Sequence, residues 1–186
     1  MFIPVGEAPH RTIEADPGAK VRLEMCELAV AGDERFEVSR MELERPGPSY
    51  TVDTLRALRD EAPDDELFLI LGGDQAASLP RWREPEEVLS LATVAVFERG
   101  GWSRSSIVVD TVRLRGAERV RFLDMPRIEV SSTLVRGRVA RGRPIRYLVP
   151  EKVAELIERT ELYRAGAPAT PAAPPSQTRA RETTPG

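Results

Sequence analysis

The chain has 186 residues, 41% of them hydrophobic and 31% charged, and its 27 basic and 30 acidic side chains leave a formal net charge of -3. That is enough chain for one domain with a sizeable core; the charge lacks the positive excess that drives nucleic-acid binding, and no apolar run approaches the roughly 20 residues that span a bilayer. One cysteine, Cys26, cannot form an internal disulfide, and one histidine, His10, cannot make a two-histidine zinc site. With no signal-peptide pattern at its start, the composition points to a reducing cytoplasm, with Cys26 as a buried core thiol.

In chain order, residues 1–6 (MFIPVG) read as a short buried strand that runs into a polar loop holding His10 and Arg11. Asp16-Pro17 offers an N-cap and a first-turn proline to a helix with Val21, Met25 and Leu28 at helical spacing, stopped near Gly32. Residues 35–40 (RFEVSR) alternate like a strand, and residues 50–61 place Val52, Leu55 and Leu58 on one helical face. Residues 66–74 (ELFLILGGD) are the plainest buried strand, a continuous apolar run entering a glycine turn. A helix over 85–92, a strand over 93–100 and a strand over 120–126 follow. Two helices end the globule, 133–141 and 151–160, the second burying Val153, Leu156 and Ile157.

Strands alternating with helices predict an α/β fold with a mostly parallel sheet, whose ligands lie beyond the carboxyl ends of the strands. Three segments then matter: residues 4–11 (PVGEAPHR), 71–74 (LGGD) and 125–133 (MPRIEVSST). In the last, Ser131 or Ser132 can cap a helix whose first N–H groups and dipole attract an anion, and Arg136 stands about one turn in. This makes either a phosphate site without a glycine-rich loop or an ordinary cap followed by a solvated basic face. Gly72 and Asp74 suit either close approach of a nucleotide, with Asp74 accepting from a ribose hydroxyl, or a simple turn capped by Asp74. Trp82 can stack on an aromatic ring or pack at the surface. His10 beside Arg11 can meet a phosphate or simply be solvated.

The order and spacing of these segments resemble one family over residues 1–163: the bacterial nicotinate-nucleotide adenylyltransferases of the nucleotidylyltransferase superfamily. FIPVGEAPHR resembles its strand and loop ending in P-x-H-K, with Arg11 in place of lysine. ELERPGPSYTVDTL resembles its G-x-S-Y-T-x-D-T-L segment, and LFLILGGDQAASLPRWRE its strand, G-x-D turn and L-x-x-W. IEVSSTLVRGRVARGRPIRYLVP resembles the signature I-S-S-T-x-x-R and the R-Y-L-[LV]-P after it, with Val130 for isoleucine.

The resemblance implies a Rossmann-like nucleotidylyltransferase domain over 1–164 and a reaction that joins nicotinate mononucleotide to ATP, with Mg²⁺, giving deamido-NAD and pyrophosphate. It implies direct in-line attack on the ATP α-phosphorus, so catalysis is positioning and charge neutralisation. Arg136, Ser132 and His10 take the catalytic places by resemblance. Gly72, Asp74, Ser131, Ser132, Thr133 and Arg136 match the ATP contacts. His10, Arg11, Tyr50, Thr51, Trp82 and Arg83 match the mononucleotide contacts, with backbone groups at Tyr50 and Thr51 meeting the carboxylate. No residue is assigned as a metal ligand.

The family's G-G-T-F-D-P-x-H-x-G-H loop and the central strand before it have no counterpart here, so the sequence predicts an incomplete enzyme with a start upstream of Met1. Two alternatives follow: a pantetheine-phosphate adenylyltransferase-like enzyme, which GPSYTVDTL and LPRW oppose, and a non-catalytic nucleotide-binding remnant. An RNA-binding module built on Arg136, Arg138, Arg141, Arg143 and Arg146 is disfavoured by the overall negative charge. The sequence leaves the oligomeric state open. Residues 165–186, rich in Pro, Ala and Thr, have the composition of a disordered tail and are assigned no chemistry. Deleting them is expected to move the melting temperature by less than about 2 °C and leave turnover unchanged, as a thermal scan and a rate assay on the shortened chain would record.

Overall fold

The structure is a computed structural model that describes residues 1–9, 16–97, 103–126 and 128–164. Its helices are α1 (Ala19–Val30), α2 (Met41–Glu44), α3 (Thr51–Glu61), α4 (Gly73–Ser78), α5 (Pro85–Leu91), α6 (Arg104–Thr111), α7 (Ser132–Ala140) and α8 (Glu151–Arg159). Its strands are β1 (Phe68–Gly72), β2 (Thr93–Phe97) and β3 (Val120–Leu123), paired in that order and all parallel, as the alternation of elements predicts.

Register and burial explain the sheet. Leu69, Leu71, Val94, Val96, Val120 and Phe122 occupy alternate, mutually aligned positions and join one core with Val52 and Leu55 of α3, Val88 and Leu89 of α5, and Ile107 of α6. Leu79, fully buried in the 3₁₀ turn Leu79–Arg81, completes it. The alternate positions form the second face. There Thr93 and Ala95 of the central strand are buried, but Phe68, Ile70 and Leu123 on the flanking strands are 57%, 65% and 44% exposed. Parallel sheets are normally covered on both faces; among the described residues this one is covered on one. A separate core of Val135, Ile145, Val153 and Ile157, with Met25 and Leu28 against it, ties α1 to α7 and α8.

Several expectations need correction. Residues 66–74 do contain a strand, but as a sheet edge with one open face it is half-exposed rather than buried. Residues 1–6 and 35–40 are not strands. They meet in one parallel bridge, Phe2 to Val38, with Phe2 donating to Glu37 O at 2.6 Å and Ser39 donating back to Phe2 O at 2.9 Å. No ladder extends from it, and Met1 and Phe2 remain exposed. Helix α1 begins at Ala19 rather than at Pro17, because Asp16 turns its Oδ1 onto the Gly18 N–H and the Arg22 Nε instead of capping. Gly32 does stand just past the helix in the left-handed region, φ 97°. Cys26 is half-buried, and that burial pushes its thiol pKa up, opposed in part by Arg22. The expected strand over 93–100 is β2 as far as Phe97, beyond which residues 98–100 lie outside the described part.

The open face sets a stability contrast. Leu89→Ala, which empties a fully buried position, should cost about 2–5 kcal/mol. Ile70→Ala should stay within about 0.5 kcal/mol. Urea unfolding of both variants beside the parent measures the difference.

Candidate active site

Loop 5–7 is clamped from two sides. From α1, Arg22 donates from NH1 to Val5 O at 2.6 Å and from NH2 to Gly6 O at 3.4 Å. From the other side the Ser49 N–H donates to Glu7 O at 2.8 Å, beside the parallel bridge between Glu7 and Pro48. Gly6 makes the approach feasible, since a Cβ there would stand 2.2 Å from Glu42 O and 3.0 Å from Ser49 Oγ. The clamp brings residues 5–7 to the start of α3. His10 and Arg11, expected just beyond, lie outside the described residues.

At that helix start the N-cap is Tyr50, which makes no side-chain cap. Its carbonyl receives the N–H groups of Asp53 at 3.1 Å and Thr54 at 3.3 Å. The first-turn N–H groups of Thr51 and Val52 have neither an intrahelical acceptor nor a side-chain cap, so an anion is the partner they suit. Ser49, one residue earlier, is 7% exposed, and its Oγ has no hydrogen-bond partner.

Arg83 borders this helix start, and Trp82 precedes it in the chain. The Trp82 ring is half-buried against the main core, and its Nε1 donates to Ser78 Oγ at 2.9 Å, which fixes the indole's tilt. The Arg83 guanidinium sits 4.7 Å over the Tyr50 ring and pairs with Asp53 and Glu84, each at 3.4 Å. Arg56 also pairs with Glu84, and that hydrogen bond holds the Glu84 carboxyl below its ordinary range. These pairs are exposed and add little stability; their use is to hold Arg83 in place. Of the residues named from the sequence, Arg83 lies over the Tyr50 ring, Thr51 opens α3, and Trp82 adjoins Arg83 in the chain.

The second group lies where β1 enters α4. Gly72 is the N-cap of α4 and no side chain caps that helix, so Asp74 is not a cap. Its carboxylate is exposed in the first turn, and a Cβ on Gly72 would stand 2.9 Å from its Oδ1. The glycine therefore leaves room beside an outward-facing carboxylate, at the carboxyl end of a parallel strand. This segment continues through α4 to Ser78 and Trp82, so the first two groups share one piece of chain.

The third group is the start of α7. Ser131 is its N-cap, with Oγ accepting from the Leu134 N–H at 3.1 Å. Ser132 and Thr133 are exposed at the first two helical positions, and Arg136 is half-buried one turn on. Arg136 lies within electrostatic reach of Tyr163, whose pKa burial pushes up while Arg136 and Arg22 oppose that rise. The Arg22 that clamps loop 5–7 thus shares its surroundings with Arg136. Among the described residues no hydrogen bond or ion pair joins the start of α7 to Asp74 or Trp82. Arg138 is committed to structure, its Nε donating to Pro144 O at 2.8 Å, which takes one cation from the suggested RNA surface.

Sequence reasoning missed Arg22 and Ser49. Arg22 carried a signal: it is a cation between the apolar Val21 and Leu23. Ser49 lay inside a recognised motif, but only packing shows that its hydroxyl is buried.

Residues 1–138 match the cytidylyltransferase-like family model. A protein of Roseiflexus sp. (strain RS-1) named "Probable nicotinate-nucleotide adenylyltransferase" is 43% identical over 164 residues, 88% of this chain and 82% of that protein. One of the same name in Thermus thermophilus is 42% identical over 164 residues with the same coverage. Among solved structures, Plasmodium falciparum nicotinic acid mononucleotide adenylyltransferase complexed with NaAD has the same fold, with TM-score 0.65 and 16% identity, over 87% of this chain and 80% of that one.

Proposed function

The chain belongs to the nicotinate-nucleotide adenylyltransferases of the cytidylyltransferase-like family, and from that membership we propose that its substrates are ATP and nicotinate mononucleotide, which it joins into deamido-NAD with release of pyrophosphate. The observation that carries the reading is the uncapped start of α3 beside an indole held by Ser78 and a guanidinium held by Asp53. A pyridine carboxylate fits that trio: its oxygens accept from the first-turn N–H groups and its ring lies on Trp82. Pantetheine phosphate has neither a ring to stack nor a carboxylate for that helix start.

In the proposed reaction a phosphate oxygen of the mononucleotide attacks the α-phosphorus of ATP as the bond to pyrophosphate breaks. Charge gathers on the departing oxygens, where Ser132, Thr133 and Arg136 at the start of α7 would donate. Asp74, facing outward beside Gly72, would accept from the adenosine ribose. His10 and Arg11 would meet phosphate oxygens next to loop 5–7. Mg²⁺ would enter with ATP on its own phosphate oxygens and neutralise charge there; among the described residues no three His, Cys, Asp or Glu side chains gather to hold a metal. No described helix is long and apolar enough to cross a membrane, and the proposed setting is the cytoplasm, with no nucleic-acid partner.

Two substitutions test the assigned roles. Trp82→Ala should weaken mononucleotide binding by about 1–3 kcal/mol with little effect on ATP, as calorimetry with each ligand would record. Arg136→Ala should cost about 2–4 kcal/mol in turnover at nearly unchanged stability. Equal losses of both ligands for the first, or rates within about twofold of the parent for the second, would reject the assignment.

A further inference from the structure

The C-terminal end of α7 carries a surface that lies outside the site proposed above. A cavity of about 690 Å³ lies between the C-terminal end of α7, the loop before α8, and α8 itself. Val139, Ile145 and Ile157 give it an apolar lining. Arg143 and Arg146 border it from the loop, while Glu151, Glu155 and Glu158 lie along one stripe of α8, at helical spacings of four and three. All five charged residues are exposed, and among the described residues no ion pair joins the basic side to the acidic side.

At the rim stands Tyr147, 88% exposed, at the tip of a turn closed by the Arg146–Val149 bridge. Its backbone is left-handed, φ 66°, and the Arg146 guanidinium lies 5.1 Å from its ring. An aromatic residue in that conformation carries a backbone cost. Separated charges of both signs, an apolar hollow and a projecting ring are the two halves of a self-complementary contact. A two-fold axis would set each copy's arginines against the other's glutamates and each Tyr147 into the other's hollow. We infer that this face is the contact between two copies of the chain. A small zwitterion would use the charges but would leave the outward projection of Tyr147 unexplained.

Sedimentation velocity on the full chain, up to about 100 µM, reads the outcome directly. The parent should dimerise. R143E/R146E makes both sides acidic and E151R/E155R/E158R makes both basic, so each alone should be monomeric. Their equimolar mixture should regain a dimer, because every contact across the axis is again between opposite charges. Y147A should weaken association roughly tenfold or more. Circular dichroism verifies that each variant is folded, and single reversals R146E and E155R replace any combined reversal that is not. A monomeric parent, reversed variants that still dimerise, or folded variants that fail to pair when mixed would each overturn the inference.

Discussion

The parallel ladder of β2 with its two neighbours is the constraint on which the rest depends. Register aligns Gly72, Phe97 and Leu123 at the carboxyl ends of the three strands, and the turn after β1 opens there with Gly72 and Asp74. The ladder holds because Val94 and Val96 are removed from water by α5, α6 and the turn at Leu79. Apolar burial of this kind is non-directional, so it sets where the sheet lies but not which side chain faces a ligand. Those choices fall to directional contacts: the Arg22 clamp on loop 5–7, the Trp82–Ser78 hydrogen bond, and Arg83 between Tyr50 and Asp53.

The site also uses helix starts in two distinct ways. α7 is capped by its own Ser131, so one first-turn donor is satisfied while those at Ser132 and Thr133 stay open toward an anion. α3 begins at a tyrosine that makes no cap, and this keeps its first donors open too. In the proposed function a phosphate-bearing ligand and a carboxylate-bearing one would each meet an open helix start, with Arg136 beside one and Trp82 beside the other as the groups proposed to tell them apart.

Much of this was legible in the sequence because short-range rules govern it. Helix α8 appeared with its buried Val153, Leu156 and Ile157, and Gly32 stood where a left-handed residue ends a helix. Tyr50, Trp82 and Arg83 were found by motif, and packing brought them together. What was not legible depends on partners distant in the chain. Residues 68–72 carry the apolar run of a buried strand, yet burial needs a neighbour on each side, and the run cannot state whether one is there. Residues 1–6 have strand-like composition but form a single bridge. Helix α6, with Val108 and Val109 exposed, has no strong amphipathic stripe to announce it. The hollow beside Tyr147 joins α7, a loop and α8, and no local pattern encodes it.

In the proposed function the open start of α3 reads a carboxylate on the pyridine ring, and the direct measurement is calorimetric binding of nicotinate mononucleotide against nicotinamide mononucleotide, both with an unreactive ATP analogue. The two ligands differ only in whether the ring carries a charged acceptor or a neutral amide. The nicotinate form should bind roughly tenfold or more tightly, the difference narrowing as salt screens the helix start. Equal affinity for the two ligands, at low and high salt alike, would contradict it.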